Sequence, residues 1–175
     1  MKERQRSLVL VNTGHGKGKS TAAFGVVMRA VACGWRVSVI QFIKSGKWKV
    51  GEEAVARQLG VEWLKGGDGF TWESPDLDES RGRAVAAWAL AADAIAGGEF
   101  ELVVLDEITY PLNYGWLPLE DVLEAIRTRP PRVNVVATGR DAPEGLIELA
   151  DTVTEMRKVK HAFDRGIRAR RGLDF

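Results

Sequence analysis

Residues Thr13-Gly14-His15-Gly16-Lys17-Gly18-Lys19-Ser20-Thr21 follow the apolar run Leu8-Val9-Leu10-Val11. A strand that runs into a Gly-Lys-Ser loop and then a helix is the layout of a triphosphate cradle. Glycines let such a loop fold tightly and aim its N–H groups at an anion. Lys19 can place a charge on the terminal phosphates, and the Ser20 hydroxyl can ligate Mg²⁺. The helix that follows points the positive end of its dipole at the same anion. A glycine-rich turn that merely connected strand to helix would leave the two lysines at its tip, Lys17 and Lys19, unexplained. The usual cradle has a glycine, four free positions, then Gly-Lys-Ser/Thr. Here Thr13 stands where that first glycine belongs and Gly14 comes one residue late. The start of the loop should therefore differ in shape, with a triphosphate lying in it differently from that of an ordinary ATPase.

A second constellation is the apolar run Leu102-Val103-Val104-Leu105 ending in Asp106-Glu107. An acid at the end of a buried strand holds Mg²⁺, directly or through water, in proteins with such a cradle. The plainer reading is a pair of solvated carboxylates at a strand end. Glu107 reads equally as a metal ligand or as a base that polarises water. Other residues carry two readings as well. Arg29, nine residues after Ser20, either reaches ribose or base or is solvated. His15 either touches phosphate or fills the loop. Phe70 and Trp72, in Gly69-Phe70-Thr71-Trp72-Glu73, form either a latch onto the core or an aromatic wall for a large apolar ligand. Lys44, Lys47 and Lys49 with Trp48 read as a solvated basic loop. Thr109 to Tyr114 follows the acidic pair and should line the same crevice, and Thr138-Gly139-Arg140 either contacts a nucleotide or completes a turn. His161 has no second histidine at ligand spacing, which argues against a histidine metal site.

These groups need elements to hold them, and the chain alternates strand-like and helix-like segments. Strands are predicted at Leu8–Val11, Arg36–Phe42, Val61–Leu64, Leu102–Leu105, Val133–Ala137 and Thr152–Met156. Helices are predicted at Ser20–Cys33, closed by Gly34, at Glu52–Leu59, from Asp76 or Asp78 to about Ala96, at Leu119–Thr128 and at Pro143–Leu149. This alternation predicts an α/β fold of the P-loop NTPase-like kind: a mostly parallel sheet with helices on both faces. Such sheets bind ligands at the carboxyl ends of their strands, where both constellations fall.

A chain of 175 residues predicts one domain, 1–175, with a proper core. A net charge of +1 gives no global pull toward nucleic acid or membrane surfaces. No segment is apolar for the length of a membrane span, and no cleavable leader is visible at the start. Cys33 is the only cysteine, so no intramolecular disulfide forms; it reads as core filler in a cytoplasmic protein. Six tryptophans leave some free to form a surface for a flat hydrophobic ligand.

Taken together, the chain resembles the P-loop type corrinoid adenosyltransferases, the ATP:cob(I)alamin enzymes of bacterial cobalamin metabolism. The resemblance spans nearly the whole chain. It rests on Thr13 to Gly25, Gln41-Phe42-Ile43-Lys44, Gly69 to Glu73, Val104 to Tyr110, Thr138-Gly139-Arg140 and Val159-Lys160-His161-Ala162-Phe163-Asp164. The Gly-Phe-Thr-Trp and Val-Lys-His-Ala-Phe-Asp segments are its most diagnostic parts.

The resemblance implies transfer of the 5′-deoxyadenosyl group of ATP, a co-substrate, to the Co(I) of a reduced corrinoid, with triphosphate leaving intact. It implies ATP held with its phosphates reversed relative to ordinary P-loop proteins, in a cradle of Gly14, His15, Gly16, Lys17, Gly18, Lys19, Ser20 and Thr21. Lys19 serves the reaction, and Arg29 falls on a nucleotide-contacting position. Ser20, Glu107 and Asp106 fall on positions that hold Mg²⁺ or Mn²⁺. Phe70 and Trp72 fall on the aromatic pair that excludes the lower axial ligand from cobalt. A homodimer and a reduced flavoprotein electron donor are further implications, with no nucleic-acid or membrane partner. The chain departs from common members in carrying His15 for Asn and Ser20 for Thr, and in a shorter arm before the first strand. A kinase or ATPase with Glu107 as base, and a nucleotide-gated binding module with a basic tail, are the competing readings.

Overall fold

The computed structural model describes residues 6–42, 51–65 and 77–174. Six strands form one sheet: β1 (Val9–Thr13), β2 (Val37–Gln41), β3 (Glu62–Lys65), β4 (Leu102–Asp106), β5 (Asn134–Thr138) and β6 (Thr152–Glu155). Their order is β3-β2-β4-β5-β1-β6, and every pairing is parallel. The helices are α1 (Lys19–Ala32), α2 (Gly51–Gln58), α3 (Leu77–Gly97), α4 (Thr109–Asn113), α5 (Leu119–Arg127) and α6 (Glu144–Leu149).

Alternation along β4 explains why helices cover both faces. Val103 and Leu105 point into one core with Ala87, Ala91 and Ile95 of α3 and with Val122 and Ile126 of α5. Leu102 and Val104 point into the other, with Ala23, Phe24 and Val27 of α1 and with Ala56 and Trp63. Leu102 through Leu105 are all at most 1 % exposed, as a strand covered on both sides requires. On α3, Ala87, Ala91 and Ile95 recur every four residues and so form one buried face that packs against the sheet. β1 and β4 are separated only by β5, so their carboxyl ends lie about 10 Å apart at usual strand spacing. The loop after β1 and the acids after β4 therefore open onto one end of the sheet.

The predicted strands and longer helices are present, with ends shifted by a few residues. α4 is additional: Pro111 lies in its first turn, where a missing N–H costs nothing. So is a 3₁₀ turn at Phe163–Arg165. Cys33 departs from expectation: it is exposed at the end of α1, because the apolar face of that helix is completed by Ala23, Val27 and Ala30. Trp63 is buried at 2 % and packs on Phe24 with ring centroids 5.1 Å apart. No helix among the described residues is long and apolar enough to cross a membrane.

Candidate active site

A cleft of about 360 Å³ opens at the carboxyl end of the sheet. Its floor is the loop from His15 to Ser20 and the first turn of α1. Gly18, the residue before the helix, is left-handed at φ 115°, and no side chain caps the helix start. Among the described residues no side chain therefore caps the N–H groups of that first turn, which lines the cleft and suits an anion. Ser20 and Thr21 line the same wall. Asn12 Nδ2 donates to Lys19 O at 3.3 Å and so ties the end of β1 to the helix start.

Lys19 is 7 % exposed, and its Nζ donates to Gly14 O and to Gly16 O, both at 2.8 Å. The ammonium thus spans its own loop. Its pKa is lowered, first by burial and then by Arg140, against the opposing pull of Glu107 and Asp141. Gly16 N–H is not aimed at the cleft, as a simple cradle would have it; it donates to Met156 O at 2.5 Å. A Cβ on Gly14 would lie 2.7 Å from Met156 O, and one on Gly16 would lie 2.6 Å from it. The early part of the loop is therefore pressed against the backbone that leaves β6. Gly14, at φ 92°, stands one place late because that is where the chain must turn against this neighbour.

Asp106 and Glu107 face the loop from the end of β4. Asp106 is 1 % exposed and both its oxygens are engaged. Thr138 Oγ1 donates to Oδ1 at 2.8 Å and Gln41 Nε2 donates to Oδ2 at 2.8 Å. Glu107 is left-handed at φ 63°, a conformation that costs a non-glycine residue about 1–2 kcal/mol. Its N–H donates to Thr138 Oγ1 at 2.9 Å. Its Oε2 is buried without a hydrogen-bond partner among the described residues. Burial, and then the neighbouring Asp106, push its pKa up to about 7, although Lys19 and Arg140 pull the other way.

An unsatisfied carboxylate oxygen facing a phosphate-type cradle is an observation that fits a hard divalent cation. Among the described residues no cluster of three or more His, Cys, Asp or Glu side chains could hold a metal alone. That also fits Mg²⁺, which uses one or two carboxylates and takes its remaining ligands from phosphate and water.

Of the other sequence candidates, His15 is exposed and its Nε2 lies 3.1 Å from Asp141 Oδ1. Lys17 pairs with Asp174, whose carboxylate also accepts Arg170 N–H at 2.8 Å. Arg29 is exposed in the last turn of α1, about 15 Å along the helix from Lys19, and does not line the cleft. Phe70 and Trp72 lie outside the described residues, as does the loop carrying Lys44, Lys47, Trp48 and Lys49. Arg140 lines the cleft just beyond Gly139, which is at φ 142°. A Cβ on Gly139 would lie 2.0 Å from Thr109 Oγ1, so only glycine lets β5 exit beside α4. Sequence reasoning missed Met156, Asp141, Leu173 and Asp174 as neighbours of the loop. None has a spacing that marks it; Asp141 arrives because β5 lies beside β1, and Met156, Leu173 and Asp174 through the position of β6 beside β1 and the path of the chain after it. A second, apolar cleft of about 290 Å³ lies between α1 and α2 and shares Phe24 and Glu52 with the first.

A parallel sheet with a lysine-bearing glycine loop after β1 and acids after β4 defines a P-loop NTPase-like α/β protein. The family model described as ATP:corrinoid adenosyltransferase BtuR/CobO/CobP matches residues 5–175. The chain is 49 % identical over 173 residues to a corrinoid adenosyltransferase of Pseudomonas aeruginosa, covering 98 % of this chain and 85 % of that one. It is 43 % identical to the corrinoid adenosyltransferase CobA of Salmonella typhimurium, covering 99 % and 88 %. It is also 43 % identical to the corrinoid adenosyltransferase of Escherichia coli K12, covering 98 % and 87 %. The chain belongs to the ATP:corrinoid adenosyltransferase family. It is an enzyme that transfers the adenosyl group of ATP to a corrinoid in adenosylcobalamin synthesis.

Proposed function

We propose that residues 1–175 act as one cytoplasmic domain that binds ATP through the loop Gly14–Thr21 and delivers its 5′-carbon to a corrinoid reduced to Co(I). The cobalt–carbon bond forms as the bond from C5′ to the triphosphate oxygen breaks, and intact triphosphate leaves with the electron pair. Co(I) is the nucleophile, so no protein base is needed. The protein's work is to hold the two reactants in line and to stabilise charge on the departing triphosphate. The observation that carries this reading is the placement of Lys19, Ser20 and Glu107 around one cleft, with the N–H groups of α1 open to it.

Lys17 and Lys19 neutralise phosphate oxygens, and His15 adds a contact at the rim. Ser20 and Glu107, with Asp106 beside them, hold Mg²⁺ or Mn²⁺, which when bound screens the triphosphate charge. Arg29 lies away from this cleft, so its nucleotide role rests on the resemblance alone. Phe70 and Trp72, also by resemblance, keep the lower axial ligand off cobalt, which eases reduction of Co(II). Trp72→Ala should therefore impair adenosylation from Co(II) more than from chemically generated Co(I), as initial rates from the two starting states would reveal. A reduced flavoprotein donates the electron, and a homodimer is the working form. The homodimer is supported by edge strand β6, whose four residues are all exposed, and by exposed Val159, Phe163 and Leu173 beyond it.

Product analysis tests the reading. The protein is mixed without oxygen with MgATP and chemically reduced corrinoid. Triphosphate and a light-sensitive cobalt–carbon product are expected. ADP and phosphate with unchanged corrinoid would replace this reading with a kinase or ATPase.

A further inference from the structure

Thr138 is fully buried at the end of β5, the strand that separates the phosphate loop from the acidic pair. It is not among the residues that line the cleft. Its single hydroxyl makes two bonds with opposite roles. It donates its proton to Asp106 Oδ1 at 2.8 Å and accepts the N–H of Glu107 at 2.9 Å. The second bond holds the backbone of Glu107 in its left-handed turn at φ 63°. That turn points consecutive carboxylates in different directions. Asp106 stays on the sheet with one donor on each oxygen, from Thr138 and Gln41, while Glu107 presents an oxygen that no group among the described residues satisfies.

We propose that Thr138 is a positioning residue for the metal site: its hydroxyl sets the direction of the Glu107 carboxylate through the Glu107 backbone and fixes the orientation of Asp106. The inference rests on the reading above that Glu107 helps to hold the divalent cation. A hydroxyl is required because one atom must donate and accept at once; valine has the same shape and does neither. Outer partners of metal ligands commonly change metal affinity by about 10- to 100-fold when removed.

The test is Mn²⁺ binding with ATP present and corrinoid absent, followed by the electron paramagnetic resonance signal of free Mn²⁺. Thr138→Val should weaken Mn²⁺ binding by about 10-fold. Thr138→Ser, which keeps the hydroxyl, should remain within about twofold of the natural protein. ATP binding measured in EDTA should be the same in all three, because the phosphate loop is untouched. Natural Mn²⁺ affinity in Thr138→Val, or equal weakening in Thr138→Ser, overturns the proposal. If Thr138→Val does not fold, Thr138→Ala carries the same comparison, and loss of fold in both assigns the hydroxyl to stability and overturns it too. Glu107→Gln separates the two inferences. Unchanged Mn²⁺ affinity in that variant removes Glu107 from the metal site, whereas weakening there with none in Thr138→Val removes only the positioning role.

Discussion

At the residue scale, the site pairs a buried cation with a buried acid whose proton is held unusually tightly. Glu107 keeps its proton in the folded protein up to about pH 7, while an unfolded chain releases it near the ordinary value of 4.5. Between those values the unfolded state binds fewer protons than the folded one, so rising pH favours unfolding. The metal-free protein should lose stability from about pH 4.5 to about pH 7 and then level off, with a loss from this group of order 3 kcal/mol. Glu107→Gln should remove that part of the slope and be the more stable protein at pH 8, as melting curves in EDTA across the range would record. Equal slopes in the two proteins would mean that Glu107 ionises normally. Lys19 is the other decisive side chain. Its two bonds to the carbonyls of Gly14 and Gly16 satisfy a buried ammonium from within its own loop. Lys19→Ala should lower kcat/KM for ATP by about 100- to 1000-fold, the usual loss for one preorganised charge-stabilising donor. Unchanged turnover would take the cradle out of the mechanism.

At the scale of elements, the phosphate loop depends on β6 as much as on its own glycines. Gly16 donates to Met156 O and leaves no room for a Cβ against the same carbonyl. The obstacle is backbone, which cannot rotate away as a side chain would. Gly16→Ala should push the loop off β6 and weaken ATP binding by at least about 10-fold, a displacement of some tenths of an ångström being enough to disorganise a phosphate site. The sheet core is remote from this contact, so the variant should stay folded. Calorimetric titration with ATP, beside a circular dichroism melt, reads both effects. Natural affinity would mean that the loop relaxes around the new methyl. The strong motif Gly18-Lys19-Ser20 was legible in sequence because it is local: three residues, one turn, one helix start. The contact of Gly16 with Met156 was not, because 140 residues separate the partners and only the pairing of β1 with β6 brings them together.

At the scale of the whole molecule, two cores, one on each face of the sheet, hold β4 so firmly that its last residue has little freedom. That rigidity is what allows Asp106 and Glu107 to face the loop across β5. The outer strand β6 lacks such cover, and the apolar groups that follow it are exposed. Burying that surface against a second copy would remove an open sheet edge as well as apolar area. Sedimentation equilibrium should therefore give twice the chain mass at micromolar concentration, and Val159→Asp together with Phe163→Asp should shift the protein toward the monomer. A monomer in the unmodified protein would leave this face for some other partner.

The amino-acid sequence alone determined what depends on near neighbours along the chain. The strand and helix periods, the Gly-Lys-Ser turn with its helix, and the apolar strand ending in two acids are all readable within ten residues. The parallel α/β architecture follows from their alternation, because parallel strands need crossovers that cover both faces. Tertiary structure decided the rest. It set the strand order that puts β5 between the loop and the acids, and the carbonyl of Met156 under the glycines. It placed Asp174 beside Lys17 and left Arg29 outside the cleft. It also decided which acid is spent and which is free, since Thr138 and Gln41 reach Asp106 only from neighbouring strands. Hydrogen bonds between strands depend on register, and register is set by how all the apolar faces pack at once.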